Sequence, residues 1–255
     1  MALAPLIPVL DLRRGQLVQA RGGVRHLYEP LVCPLCSSTE PQALVQVLRE
    51  RYGFRTFYLA DLDALSGWAL ALPIYHRLAE LGASLWVDAG LADMPTVQAV
   101  LDHEAERAII ALESLVQPEI VPTLIAAHGP NRIMFSLDLN EGRPITRIAE
   151  WQGQSAREIA ERMIGLGIQE MLILDLAAMG LGRGPPALDL CRNLAERFPH
   201  VQLYVGGGVA SPEHLEALAD AGVAGALVAT ALYQGNLPAT VVRPWSPTRR
   251  PPDRG

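Results

Sequence analysis

The sequence predicts a single α/β domain, a (β/α)8 TIM barrel made of two half-barrel repeats, and three observations carry that expectation. Eight short β-branched or aliphatic runs alternate with longer amphipathic stretches, the pattern of parallel strands joined by crossover helices. The chain also repeats itself. LWVDAGLADMPTVQAVLD from Leu85 aligns with LYVGGGVASPEHLEALAD from Leu203, 118 positions apart, and YLADLDAL from Tyr58 aligns with LILDLAAM from Leu172, 114 apart. PVLDLRRG from Pro8 matches FSLDLNEG from Phe135, 127 apart, so four strand–helix units recur as a second four. Finally, 255 residues that are 50% hydrophobic can bury one large core without disulfides. An open doubly wound sheet is the competing architecture.

Taken in order, the expected strands are 6–12 (LIPVLDL), 56–62 (TFYLADL), 84–89 (SLWVDA), 108–112 (AIIAL), 133–139 (IMFSLDL), 170–176 (EMLILDL), 201–205 (VQLYV) and 225–229 (GALVA). Helices are expected between them, for example over 40–51, 73–81, 155–166 and 212–221. Ser155 before AREIAERM and Ser211 before PEHLEAL read as N-caps, and Gly82, Gly129, Gly167 and Gly222 stand where helices should stop. The barrel is expected to occupy residues 1–237. Residues 238–255, VVRPWSPTRRPPDRG with its three preceding residues, read as a loosely ordered Pro/Arg-rich tail in place of a full eighth helix.

A formal charge of −6, with Arg scattered along the chain, removes the sequence-independent attraction that nucleic acid or an anionic membrane needs. The N-terminus reaches Asp11 after a short apolar stretch and lacks a basic leader, and no apolar run is long enough to span a bilayer. Three cysteines, Cys33, Cys36 and Cys191, suit a reducing compartment, so a cytoplasmic protein is expected, as monomer or small homo-oligomer. Every basic residue is Arg, which excludes lysine Schiff-base chemistry and leaves Arg and His for cationic work.

In such a barrel the strands' C-terminal ends form the active-site rim, which would here collect Asp11, Asp61, Asp63, Asp88, Glu113, Asp138 and Asp175. Any one strand-end carboxylate, taken singly, is more often a helix cap or loop anchor. Packed together they raise one another's pKa, so that some serve as acids while others remain bases. Asp11 and Asp138 hold the same place in LDLRRG and LDLNEG, on strands that lie opposite each other, as a general base and a general acid require. Asp61 and Asp175 form a second equivalent pair. Gly206, Gly207 and Gly208, together with Thr230 after the next strand, have the layout of a barrel phosphate site, although a Gly run can be only a tight turn. The equivalent first-half positions read Asp88-Ala89-Gly90 and Ala111-Leu112-Glu113, whose acids would repel a phosphate. Arg21 and Arg25 are the cations best placed to meet the acidic rim or a substrate anion.

At these residues the sequence resembles the histidine-biosynthesis barrel superfamily, which comprises the phosphoribosylformimino aminoimidazole carboxamide ribotide isomerase and the cyclase subunit of imidazole glycerol phosphate synthase. IPVLDLRRGQLVQ resembles the opening strand and MFSLDLNEG the fifth, and the resemblance runs through LDLAAMGLGRGPP and YVGGGVASPEHLEALADAGVAGALVATALYQG over roughly residues 6 to 237. It implies an isomerase-like enzyme acting on a small phosphorylated substrate without a cofactor or metal. Asp11 would be the base and Asp138 the acid of an Amadori-type aldose-to-ketose rearrangement. Gly206, Gly207, Gly208 and Thr230 would hold a phosphate, and Trp151 falls where the family has a Trp near its substrate. By their places at the rim and in the first loop, not by the resemblance, Asp61, Asp88, Glu113, Asp175, Arg21 and Arg25 are also expected to line the substrate. The loop from Gly22 to Pro41 resembles a divergent branch found in methanogens and methylotrophs, which implies a place in tetrahydromethanopterin or methylofuran one-carbon metabolism; the acid-lined first half is itself expected to accept the cationic or amine-bearing end of a singly phosphorylated substrate. Three alternatives stay open: the histidine-pathway isomerase itself, a variant in which Asp61, Asp63, Asp88 and Glu113 bind Mg²⁺, and a non-catalytic ligand-binding barrel. The Cys33–Cys36 pair has no second pair for a zinc site and reads as a loop turn.

Overall fold

In the computed structural model, which describes residues 2–185 and 187–246, eight parallel strands close into a barrel. They are β1 (Leu6–Arg13), β2 (Thr56–Asp61), β3 (Ser84–Asp88), β4 (Ala105–Ala111), β5 (Ile133–Asn140), β6 (Glu170–Asp175), β7 (Gln202–Gly206) and β8 (Gly225–Val228). Each pairs with the next in chain order, and β8 returns to β1 through Leu6 beside Ala226, Ile7 beside Leu227 and Pro8 beside Val228. Closure leaves no open edge, which rules out the doubly wound alternative. Crossover helices cover the outside: α1 (Pro41–Tyr52), α2 (Leu72–Glu80), α3 (Met94–Asp102), α4 (Ile120–His128), α5 (Ala156–Gly165), α6 (Leu188–Arg197), α7 (Pro212–Asp220) and the single turn α8 (Thr230–Tyr233). Ser155 caps α5 in a reciprocal capping box with Glu158. Ser211 precedes α7 without making a side-chain cap.

The half-repeat is visible in the loops as well. After β1 and again after β5 the chain makes a tight hairpin, pairing Leu12 with Leu17 in the first half and Leu139 with Pro144 in the second. Both turns hold a left-handed pair, Arg14 (φ 51°) with Gly15 (φ 76°) and Glu141 (φ 51°) with Gly142 (φ 75°), as a type I′ hairpin requires. These are the RG and EG of the two aligned motifs. The short strands they create were not expected from hydrophobic pattern, because QLVQ and RP carry too little apolar periodicity.

Two apolar layers hold the structure. One lies between strands and helices, and the other fills the barrel with Ile7, Tyr58, Ile109, Met134, Leu172 and Leu227. The stretch after Leu237 differs from the loosely ordered tail expected of it. Residues 238–246 run back under the barrel, where Leu6 donates its N–H to the Arg243 carbonyl (2.7 Å) and Trp245 donates to the Leu6 carbonyl (2.9 Å). The Trp245 ring enters the N-terminal end of the barrel edge-on to Trp86 (5.0 Å between centroids) and Tyr204 (6.1 Å). Arg107 spans this floor, its guanidinium over Trp86 (4.5 Å) and bonded through two nitrogens to Glu170 (2.6 and 3.1 Å). A single aromatic residue in a Pro/Arg-rich context gives composition no signal, yet an open barrel end supplies a socket for it. Residues 247–255 lie outside the described part of the chain.

If the plug is structural, Trp245→Ala removes a ring that is 8% exposed and leaves a cavity among Trp86, Tyr204 and Arg107. A loss of about 3–5 kcal/mol is expected from the urea midpoint, with ligand binding at the far end of the barrel retained.

Candidate active site

Which side of a strand a residue faces follows from its lateral partners, since paired residues of parallel strands point the same way and successive residues alternate. Asp11 sits beside Ala60, and Ala60 beside Asp88, so these face the barrel axis together. In the second half Asp138 sits beside Leu174, also inward. At the C-terminal end of the strands a cavity of about 240 Å³ is lined by Asp11, Asp88, Glu113, Asp138, Arg25, Tyr28 and Tyr58, and farther round by Gly206, Gly207, Gly208 and Thr230. Asp11 and Asp138, at matching positions of strands four apart in an eight-stranded ring, face it from opposite walls.

The same register places the other expected pair elsewhere. Asp61 lies beside Leu12 and Asp175 beside Leu139, both on the helix-facing side. Their carboxylates are taken up by backbone N–H groups and, at Asp61, one hydroxyl: Asp61 accepts from the N–H groups of Ala64 (3.1 Å) and Ala71 (2.9 Å) and from the Tyr75 hydroxyl (2.5 Å), and Asp175 from the N–H groups of Ala177 (3.1 Å), Glu141 (3.2 Å) and Gly142 (2.8 Å). Neither lines the cavity, so the expectation that they contact substrate is corrected: they tie down loops. Arg21 is also corrected, being an exposed residue outside the cavity lining, in a segment pinned by the Gly22 N–H bonding to the Met179 carbonyl (2.9 Å). So is Trp151, which is buried in the strand–helix layer with the Arg162 guanidinium 5.6 Å from its ring. The carboxylates of the metal alternative are split in the same way. Asp63 accepts the Arg14 N–H, and among the described residues no three His, Cys, Asp or Glu side chains are grouped to hold an ion.

Within the cavity the acids differ in their surroundings. Asp138 accepts from the Ser136 hydroxyl (2.6 Å) and the Glu113 N–H (3.1 Å), whereas among the described residues nothing hydrogen-bonds to Asp11. Tyr58 donates to Asp88 Oδ2 (2.8 Å) and Arg25 pairs with Glu113. Burial raises the Asp11 carboxyl to about 7, against a partial pull downward from Arg25 and a further push from Asp88. Burial, then Asp88 and Glu113, drive Asp138 well above the usual carboxylate range. Asp88 is pushed up to about 6, mainly by burial, with the Tyr58 hydrogen bond opposing. Near neutrality, then, one of the two facing acids holds its proton while the other is poised to lose it. Tyr58, Ser136, Gln234 and Asn236 also belong to the site or its support and were not singled out from sequence. Ser136 was readable there, as the one polar residue of IMFSL two places before Asp138 and hence on its side.

The glycine turn is dictated by close approach. A Cβ on Gly207 (φ 95°) would come within 2.7 Å of the Asp175 carbonyl, and one on Gly208 (φ 76°) within 2.1 Å of the Gly184 carbonyl. The Gly184 N–H bonds to the Gly208 carbonyl (2.9 Å), so the loop after β6 lies directly on the turn and bare backbone faces the cavity.

Comparison with known proteins agrees with this architecture. The family described as "Histidine biosynthesis protein" matches residues 5–238, and the chain belongs to it. Similar proteins include 1-(5-phosphoribosyl)-5-((5-phosphoribosylamino)methylideneamino)imidazole-4-carboxamide isomerases from Deinococcus radiodurans, 33% identical over 93% of this chain and 97% of the relative, and from Methanothrix thermoacetophila, 32% identical over 91% and 93%. The isomerase of the same name from Myxococcus xanthus is 32% identical over 92% and 96%. None of these relatives carries a one-carbon or pterin name, so the one-carbon placement gains no support. No helix among the described residues is long and apolar enough to cross a membrane.

The Asp11 carboxyl makes a stability prediction. Its folded pKa of about 7 lies above the ordinary value of 3.8, so between those pH values the folded state keeps a proton that the unfolded state has lost. Stability therefore falls as pH rises through this window, by on the order of 4 kcal/mol from this group. Asp11→Asn removes the dependence. Its urea midpoint should exceed that of the parent by more at pH 8 than at pH 5, and a gap that does not grow refutes the assignment.

Proposed function

We propose that this member of the histidine biosynthesis family is an acid–base isomerase that converts an aminated ribose phosphate from aldose to ketose. The observation that carries the reading is the pair Asp11 and Asp138, buried on opposite walls of one cavity with the proton affinity of each raised by burial. Family membership and the isomerase names of the relatives support it.

The chemistry follows from the proton inventory. Asp138, protonated, donates to the ring oxygen as the C1–O bond breaks and the nitrogen lone pair forms a C1=N bond. Asp11, ionised, removes the proton from C2, giving an enaminol. Asp11 then returns its proton to C1 while Asp138 recovers one from the C2 hydroxyl, leaving a C2 ketone and both groups as they began. The bare backbone of Gly206, Gly207 and Gly208, with Thr230, supplies N–H and hydroxyl donors for the phosphate. Arg25, drawn over the mouth from the loop after β1 and anchored on Glu113, orients that loop against the substrate.

The relatives' names make the imidazole carboxamide ribotide, which carries two phosphoribosyl groups, the first substrate to test. Complementation of a bacterial strain lacking that isomerase tests it, with Asp11→Asn as control. Growth with the parent alone assigns the relatives' reaction. Absence of growth with folded protein moves the same chemistry to another aminated ribose phosphate. In either case kcat/KM should fall about tenfold per pH unit below about 7 as Asp11 takes up its proton. Asp11→Asn or Asp138→Asn should lower kcat by about 10²–10⁴-fold with ligand binding retained. A pH profile flat from 5 to 8 contradicts the role given to Asp11.

A further inference from the structure

The two ends of the cavity come from corresponding positions of the repeat but differ in chemistry. At the β7–β8 end the lining is Gly206, Gly207, Gly208, Ala229 and Thr230, with no charged side chain among them. At the β3–β4 end the corresponding places carry Asp88 and Glu113. Asp88 is only 4% exposed and points inward, and its Oδ2 is taken by the Tyr58 hydroxyl while Oδ1 has no hydrogen-bond partner. The Gly90 N–H approaches the carboxylate without bonding to Oδ1. Arg25, the one cation lining the cavity among the described residues, is already paired with Glu113 and leaves no net positive charge at this end.

Resting on the acid–base isomerase chemistry above but not on the relatives' substrate, whose name carries two phosphoribosyl groups, we propose that the β3–β4 end is a subsite for a cationic, hydrogen-bond-donating group, an amine or amidine, and that the substrate carries a phosphate only at the β7–β8 end. A buried carboxylate oxygen without a donor is a standing desolvation penalty, and an ammonium or amidinium N–H removes it. A phosphate there would meet two carboxylates and no free cation. The unpaired oxygen and the missing glycine turn thus point to the same ligand chemistry.

Three stable ketose phosphates decide the matter, made from ribose 5-phosphate with 1,3-diaminopropane, with propylamine and with 3-aminopropyl phosphate. They share one phosphate and one reacting centre, and differ in carrying an ammonium, an apolar or a second phosphate end. By titration calorimetry the diamine adduct should bind the parent about tenfold or more tightly than the propylamine adduct, with the doubly phosphorylated adduct weakest. In the Asp88→Asn, Glu113→Gln variant the first two should bind alike. Tightest binding of the doubly phosphorylated adduct, equal binding of the other two, or no binding of any overturns the subsite. The order in the parent decides even if the double variant does not fold.

The isomerase reading has its own readout in the same samples, deuterium incorporation at C1 in heavy water, present in the parent and absent in Asp11→Asn. Incorporation with the wrong binding order overturns the subsite alone. The expected order without incorporation overturns the isomerase reading alone.

Discussion

Alternation in a closed parallel sheet is the constraint on which the rest of this structure depends. Each strand residue must face either the barrel axis or the helix layer, and closure of β8 onto β1 fixes that choice for all eight strands at once. Asp11, Asp88 and Asp138 fall inside and meet in a space too small to hydrate them fully, so their proton affinities rise. Asp61 and Asp175, one residue out of phase with the inward positions, fall outside and become loop anchors. A one-residue difference in phase therefore separates cavity-lining acids from loop anchors among side chains of identical type.

The barrel itself was legible in the sequence because it is written twice, and the eight apolar runs fall on the eight strands. The pairing of Asp11 with Asp138 was legible for the same reason. The inward or outward direction was not, because parallel strands buried on both faces show no alternation of polarity. YLADL and LILDL place an acid at a strand end without revealing which face it takes. Lateral register settles that, and register is a property of neighbouring strands. The Trp245 plug was hidden for a different reason: its socket is assembled by Trp86 and Arg107, side by side on neighbouring β3 and β4, and by Tyr204 from β7.

The duplication has been kept where it carries the backbone and altered where it lines the cavity. The hairpins after β1 and β5 share their left-handed turn geometry. Asp61 and Asp175 share their outward phase and their role as acceptors of backbone N–H groups. The ends of β3 and β7 have diverged instead, one to Asp88 and the other to glycine. Scaffold positions answer to close packing, which both halves impose equally, whereas mouth positions answer to whatever occupies the cavity.

The aromatic floor formed by Trp245, Trp86 and Tyr204, with Arg107 stacked across it, also sets the traffic through the molecule. With the axial passage sealed at that end, anything that enters among the carboxylates must leave by the same door. A departing molecule and an arriving one cannot pass each other, so the two compete for one vacancy, and the cavity can bind again only when the mouth has been cleared.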